Sequence, residues 1–156
     1  EMTNRDSSQI ISVTNSKSQE HTILRDSILP GLLENLSKNI HETYPQKFFE
    51  SGIVFSTGSP IKETASLACV TASEETHFSE MKAVLQSLLR IGFNTKCETK
   101  TLSNHALFSQ GRVAEIVVSG KAVGYIGELD SKVLENFRIR TKVVGFEIKL
   151  SGLIFD

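Results

Sequence analysis

The stretch Asp26-Ser27-Ile28-Leu29-Pro30-Gly31-Leu32-Leu33-Glu34-Asn35-Leu36-Ser37-Lys38-Asn39-Ile40-His41 decides the fold class. Asp26 or Ser27 can cap a helix, Pro30 falls in the first turn where proline is tolerated, and Leu29, Leu32, Leu33, Leu36 and Ile40 recur at helical spacing. The spacing predicts an amphipathic helix over Ile28 to His41, with Glu34, Asn35, Ser37 and Lys38 on a polar face. Tyr44-Pro45 stops it, because the residue before a proline is pushed out of helical backbone.

On either side lie short β-branched and alternating runs. Ile10 to Val13 reads as a strand and Thr14 to Ser18 as a loop. Lys47 to Glu50 and Ile53 to Phe55 read as a strand broken around Ser51-Gly52, and Gly58-Ser59-Pro60 as a turn. Leu67 to Ala72 reads as a central strand covered on both faces. A second stripe of Phe78, Met81, Val84, Leu85, Leu88 and Leu89 predicts a helix capped by Thr76 and ended by Gly92. A weaker strand follows over Phe93 to Thr99, then a loop over His105 to Gly111. Ala114 to Val118 and Ala122 to Gly127 flank Ser119-Gly120-Lys121, a hairpin signal. Asp130 can cap a short helix to Phe137, and Val143 to Leu150 alternates as a last strand. The sum is α+β, an antiparallel sheet flanked by helices.

Composition narrows the function classes. A chain of 156 residues, 39% hydrophobic and 22% charged, reads as a single folded domain over 1–156. With 17 basic against 18 acidic residues the formal charge is −1, so nothing drives the whole molecule onto nucleic acid or anionic membrane, and any RNA contact must be local or shared. No apolar run approaches the roughly 20 residues that cross a bilayer. We expect no membrane partner and a cytoplasmic location. Met stands at position 2 behind Glu1, which suggests a piece of a longer chain.

Few residues carry chemistry. The four histidines, at 21, 41, 77 and 105, form no metal-ligand spacing with each other or with cysteine. Cys69 and Cys97 sit within apparent strands, as small buried hydrophobes do. Gly124 and Gly127 lack the helix and Lys-Ser/Thr ending of a phosphate loop. No serine lies in a nucleophile elbow. The run Arg138-Ile139-Arg140-Thr141-Lys142 carries three positive charges that could meet phosphate, although such runs are more often solvated loops.

Two blocks are too particular for a generic α+β domain. Leu24-Arg25-Asp26-Ser27-Ile28-Leu29-Pro30-Gly31-Leu32-Leu33 through Asn39, followed by Pro45-Gln46-Lys47-Phe48-Phe49-Glu50-Ser51-Gly52, closely resembles a run of the phenylalanyl-tRNA synthetase β subunit family of archaeal and eukaryotic type. Gly111-Arg112-Val113-Ala114-Glu115-Ile116, Ile126-Gly127-Glu128-Leu129, Val133-Leu134 and Phe146-Glu147 are similar to its ending. Asp130-Ser131 departs from the family, where a His-Pro pair is common. The resemblance implies the subunit's C-terminal module, with the fold of class II aminoacyl-tRNA synthetase catalytic domains but without the reaction. Consistent with that, the run Phe48 to Phe55 has no arginine and no Gly-x-Gly-x-x-Arg occurs, so the cations that adenylate transfer needs are missing.

The resemblance further implies no catalytic, cofactor or metal residue here. ATP and Mg²⁺ would belong to an α subunit, met in an α₂β₂ assembly that also binds tRNA. The helix would correspond to the motif building the class II subunit interface, placing Leu29, Leu32, Leu33, Leu36 and Asn39 against that subunit; a plain core stripe is the alternative reading of the leucines. Arg25, Gly52 and Arg112 are read as structural, the last with its donors on carbonyls or a carboxylate. Two other readings stand beside this one: a class II-like domain with its own nucleotide or acyl ligase activity, and a small-molecule-sensing domain.

Overall fold

A computed structural model describes residues 11–12 and 23–153. Two short strands, β1 (Ile11–Ser12) and β2 (Ile23–Leu24), pair with each other. Then come α1 (Leu29–Lys38), β3 (Gln46–Ser56), β4 (Lys62–Ala72), α2 (Phe78–Phe93), β5 (Glu98–Leu102), β6 (Phe108–Val118), β7 (Lys121–Leu129), α3 (Ser131–Asn136) and β8 (Val143–Lys149). The last six strands form one antiparallel sheet in the order β3-β4-β8-β7-β6-β5.

Helices cover both faces, so the sheet is the middle layer of three. One core joins Leu29, Leu32, Leu33 and Leu36 of α1 and Val133, Leu134 and Phe137 around α3 to Val54, Ala68, Val70, Ala72 and Val143 of the sheet. The other packs Met81, Leu85 and Leu89 of α2 on Ile116, Ile126, Val144, Phe146 and Ile148. Alternation in β8 explains the division, since successive side chains point to opposite faces.

Several boundaries differ from expectation, each for a local reason. The helix ends at Lys38 rather than His41, because Asn39 leaves helical backbone and its carbonyl accepts from Gln46 Nε2 at 2.8 Å. β3 is continuous through Ser51-Gly52, with Gly52 opposite Ser66 in an unbroken register. β4 is covered fully on one face only: Ser66, Ala68, Val70 and Ala72 are buried while Leu67 and Cys69 are half-buried. Gly92 stays helical, and α2 closes instead on Asn94, a left-handed residue at φ 48°. The expected cap Thr76 is not the cap residue; His77 holds that position with no side-chain bond.

The strand expected over 93–99 forms at Glu98–Leu102, and β6 starts within the expected loop, at Phe108. The β6–β7 hairpin turns on Ser119 and Gly120 alone, at φ 49° and 78°, the twin positive values of a tight turn matched to strand twist. Asp130 does cap α3, accepting from Lys132 N at 3.0 Å. Of the first expected strand only Ile11–Ser12 falls within the described residues, and the loop after it lies outside them.

Candidate functional site

The α1 face of the sheet is covered unevenly. α1 and α3 fill one half; beyond the N-terminus of α1 the face opens into a cleft of about 370 Å³ between β4, β7, β8 and the loop before β6. At its floor are Ser66, Gly124 and Val123, and at its walls His105, Tyr125, Glu147 and Lys149. The wall is aromatic. The His105 ring lies 4.5 Å from that of Tyr125 and 5.0 Å from that of Phe108, and its Nδ1 accepts from Leu107 N at 3.2 Å.

Glu147 is the electrostatic centre. Its carboxylate accepts from Ser27 Oγ at 2.6 Å, from Ile28 N at 3.0 Å and from Leu29 N at 3.2 Å. Those amides open α1, where N–H groups lack helical partners and the helix dipole favours negative charge. Ile28, in the cap position, has no cap of its own, so β8 supplies across the fold what local sequence does not. The N-terminus of α1, a ready anion site in principle, is thereby filled from within.

The remaining electrostatics are unsuited to a triphosphate. Among the described residues Asp26 and Glu147 face a single lysine, Lys149, and no arginine lines the cleft. Ser66 is fully buried with no hydrogen-bond partner for its hydroxyl. Among the described residues no group of three His, Cys, Asp or Glu side chains is placed to hold a metal ion. The described residues that line this cleft therefore do not suit ATP, whose triphosphate would meet two carboxylates and one lysine.

The structure sorts the residues singled out by sequence. Leu29, Leu32, Leu33 and Leu36 are buried to within 2% in this chain's own core, so they do not offer the subunit contact expected of them. The apolar period reports burial and cannot say against what. Asn39 is spent locally as well, its Nδ2 donating to Asn35 O at 2.7 Å. Arg25 and Gly52 act together. The guanidinium pairs with Glu50, its Nε donates to Ile53 O at 2.9 Å, and a Cβ on Gly52 would overlap it. Arg112 pairs with Glu128 at 2.7 Å, tying β6 to β7.

Cys69 and Cys97 are free thiols, half-buried. Burial pushes both thiols up from the ordinary value, with Lys47 opposing at Cys69 and Lys82 opposing at Cys97. Sequence reasoning missed Glu147 as a cap. The available signal was a carboxylate inside the otherwise apolar run Val143-Val144-Gly145-Phe146-Glu147-Ile148.

Comparisons with known proteins agree with this architecture. The model of the family described as phenylalanyl tRNA synthetase beta chain CLM domain matches residues 1–150. The chain is 39% identical over 150 residues to the phenylalanine–tRNA ligase β subunit of Pyrococcus abyssi, covering 93% of this chain and 26% of that one. Against the same subunit of Archaeoglobus fulgidus it is 44% identical over 137 residues, 88% of this chain and 24% of the other. It thus spans about a quarter of the length of the curated relatives it matches. Among solved structures, PylSc of Desulfitobacterium hafniense, a pyrrolysyl tRNA synthetase, superposes with a TM-score of 0.70 at 17% identity, covering 94% of this chain and 52% of that one; it bears on the fold alone. Fold, matched motifs and relatives converge: the chain belongs to the phenylalanyl-tRNA synthetase β chain family.

Proposed function

We propose that this chain is a non-catalytic module of a phenylalanine–tRNA ligase β subunit, a single domain that supports an α subunit in the ATP-dependent attachment of phenylalanine to tRNA. The observation that carries the reading is Glu147 on the N-terminus of α1. Adenylate transfer works by cations and free backbone donors placed where phosphate charge develops. Here a carboxylate occupies the donors, and among the described residues Lys149 is the only lysine or arginine along the cleft. In this reading ATP, Mg²⁺ and phenylalanine belong to the α subunit of an α₂β₂ assembly, tRNA binds the whole complex, and the complex works in the cytoplasm. No helix among the described residues is long and apolar enough to cross a membrane.

A supporting role needs a surface for the partner. The buried leucines of α1 cannot supply it, but the opposite sheet face does. Phe49 is 78% exposed and Ile53 41%, on the side of β3 whose neighbours in register are Cys69 and Ala65. Cys69 in turn pairs with Phe146, so this is the α2 face. α2 carries Val84 and Ile91, 49% and 79% exposed, on the flank turned away from β5, to which Lys82 reaches through Thr99 at 2.9 Å. Exposed apolar groups gathered on one face are what a stable subunit contact covers.

Calorimetry tests the reading: ATP with Mg²⁺ and phenylalanine is titrated into the full β subunit alone, and again after mixing with the α subunit. Heat only in the mixture supports the module's inert role. Saturable ATP binding by β alone, lost in Lys149→Ala, would instead favour a ligase site in this cleft.

A further inference from the structure

We propose that the groove between the end of α1 and the segment following α3 binds a single-stranded stretch of RNA, with Arg138 and Arg140 on its phosphates and Tyr44 against a base. This rests on the reading above, that the chain works within a tRNA ligase, and names a surface for the RNA. The groove, about 700 Å³, lies well apart from the cleft at Glu147; Ile40, Tyr44, Glu135, Arg138 and Arg140 line it.

Three observations converge there. The first is charge without a counter-charge. Neither guanidinium makes an ion pair or a hydrogen bond among the described residues, and two of them face the single carboxylate of Glu135. Burial alternates along the segment, Ile139 and Thr141 buried and Arg138 and Arg140 exposed, and both arginines line the same groove. Guanidinium forks match phosphate oxygens better than any other side chain.

The second is an exposed aromatic on which no ring among the described residues is stacked. Tyr44 is 42% exposed beside Ile40 at 37%, at the other wall of the groove. Aromatic rings paired with backbone-tracking cations are the means by which proteins hold unpaired nucleotides without reading sequence. The chain's net charge of −1 suits a local contact of this kind rather than general affinity for nucleic acid.

The third is backbone cost. Arg138 leaves α3 at φ 59°, its N–H on Glu135 O at 2.9 Å while Ile139 N reaches Leu134 O at 2.9 Å. That left-handed position after a helix is the usual place of glycine, which carries no Cβ to strain. An arginine there sacrifices stability for its side chain, a pattern expected where the side chain serves a ligand.

The test uses the complete β subunit assembled with its α partner and the cognate tRNA, with affinity measured at several salt concentrations. Arg140→Ala and Arg138→Gly are each expected to weaken binding and to lower the slope of log affinity against log salt by about 0.7, the value for one single-strand phosphate contact. Tyr44→Ala is expected to weaken it by roughly 5- to 100-fold, with Tyr44→Phe restoring most of the loss. Arg138→Gly should at the same time raise the melting temperature of the subunit, so a loss of binding there is not a loss of fold. If the wild-type complex binds and charges tRNA but the arginine variants keep its affinity and salt slope, the groove is not an RNA site. If wild-type β neither joins α nor helps bind tRNA, the functional reading fails together with this one.

Discussion

The two faces of the sheet are built from the same strands and put to different ends. Toward α2, Val144, Phe146 and Ile148 of β8 meet the apolar stripe of Met81, Leu85 and Leu89. Toward α1, the alternate residues Gly145, Glu147 and Lys149 run from core into open cleft within a single strand. The leucine stripe of α1 is fully consumed in the core, whereas the α2 side leaves Phe49 and Ile91 78% and 79% exposed. A face that spends its apolar groups internally builds structure; a face that keeps some exposed has something to cover it.

The sharpest way to break that contrast is to place the same charge on each face. Leu32→Asp puts a carboxylate into a site 1% exposed, and should cost more than about 4 kcal/mol, abolishing hydrogen-exchange protection of α1 and β4. Phe49→Asp, at a residue 78% exposed, should change stability by no more than about 0.5 kcal/mol while lowering assembly with the α subunit. Equal stability losses in the two variants would remove the distinction between the faces.

Glu147→Ala is the next largest. It strips Ile28 N, Leu29 N and Ser27 Oγ of their acceptor and should destabilise by about 2 kcal/mol in denaturant unfolding, with the first turn of α1 exchanging fastest. Glu147→Gln, which keeps an acceptor but not the charge, should recover part of the loss. Ser66→Ala has the smallest effect and the opposite sign. Its hydroxyl is buried without a partner, so removing it should leave stability unchanged or raise it by up to about 1 kcal/mol.

What sequence could reveal follows the range of the interactions. The stripe of α1, the hairpin at Ser119-Gly120 and the Asp130 cap are set by residues within a few positions of each other, and periodicity or turn chemistry exposes them. Glu147 was opaque because its partners Ser27 and Ile28 lie 120 and 119 residues away. The ends of α1 and α2 were misplaced for a related reason. Gln46 reaches back from β3 to fix the first, and Asn94, in a conformation glycine usually takes, overrides Gly92 in fixing the second. The motifs that identify the family were legible, whereas the assignment of its interface to the leucines was not, since a buried stripe looks the same whichever chain buries it.

The central claim, that this cleft takes no part in adenylation, is tested most directly by Lys149→Ala in the assembled enzyme, read by phenylalanine-dependent ATP–pyrophosphate exchange. Among the described residues Lys149 is the only lysine or arginine along the cleft, and it is itself exposed, so the fold should tolerate its loss. An exchange rate and an ATP KM within twofold of wild type are expected; a tenfold or greater loss would contradict the inert role of the cleft.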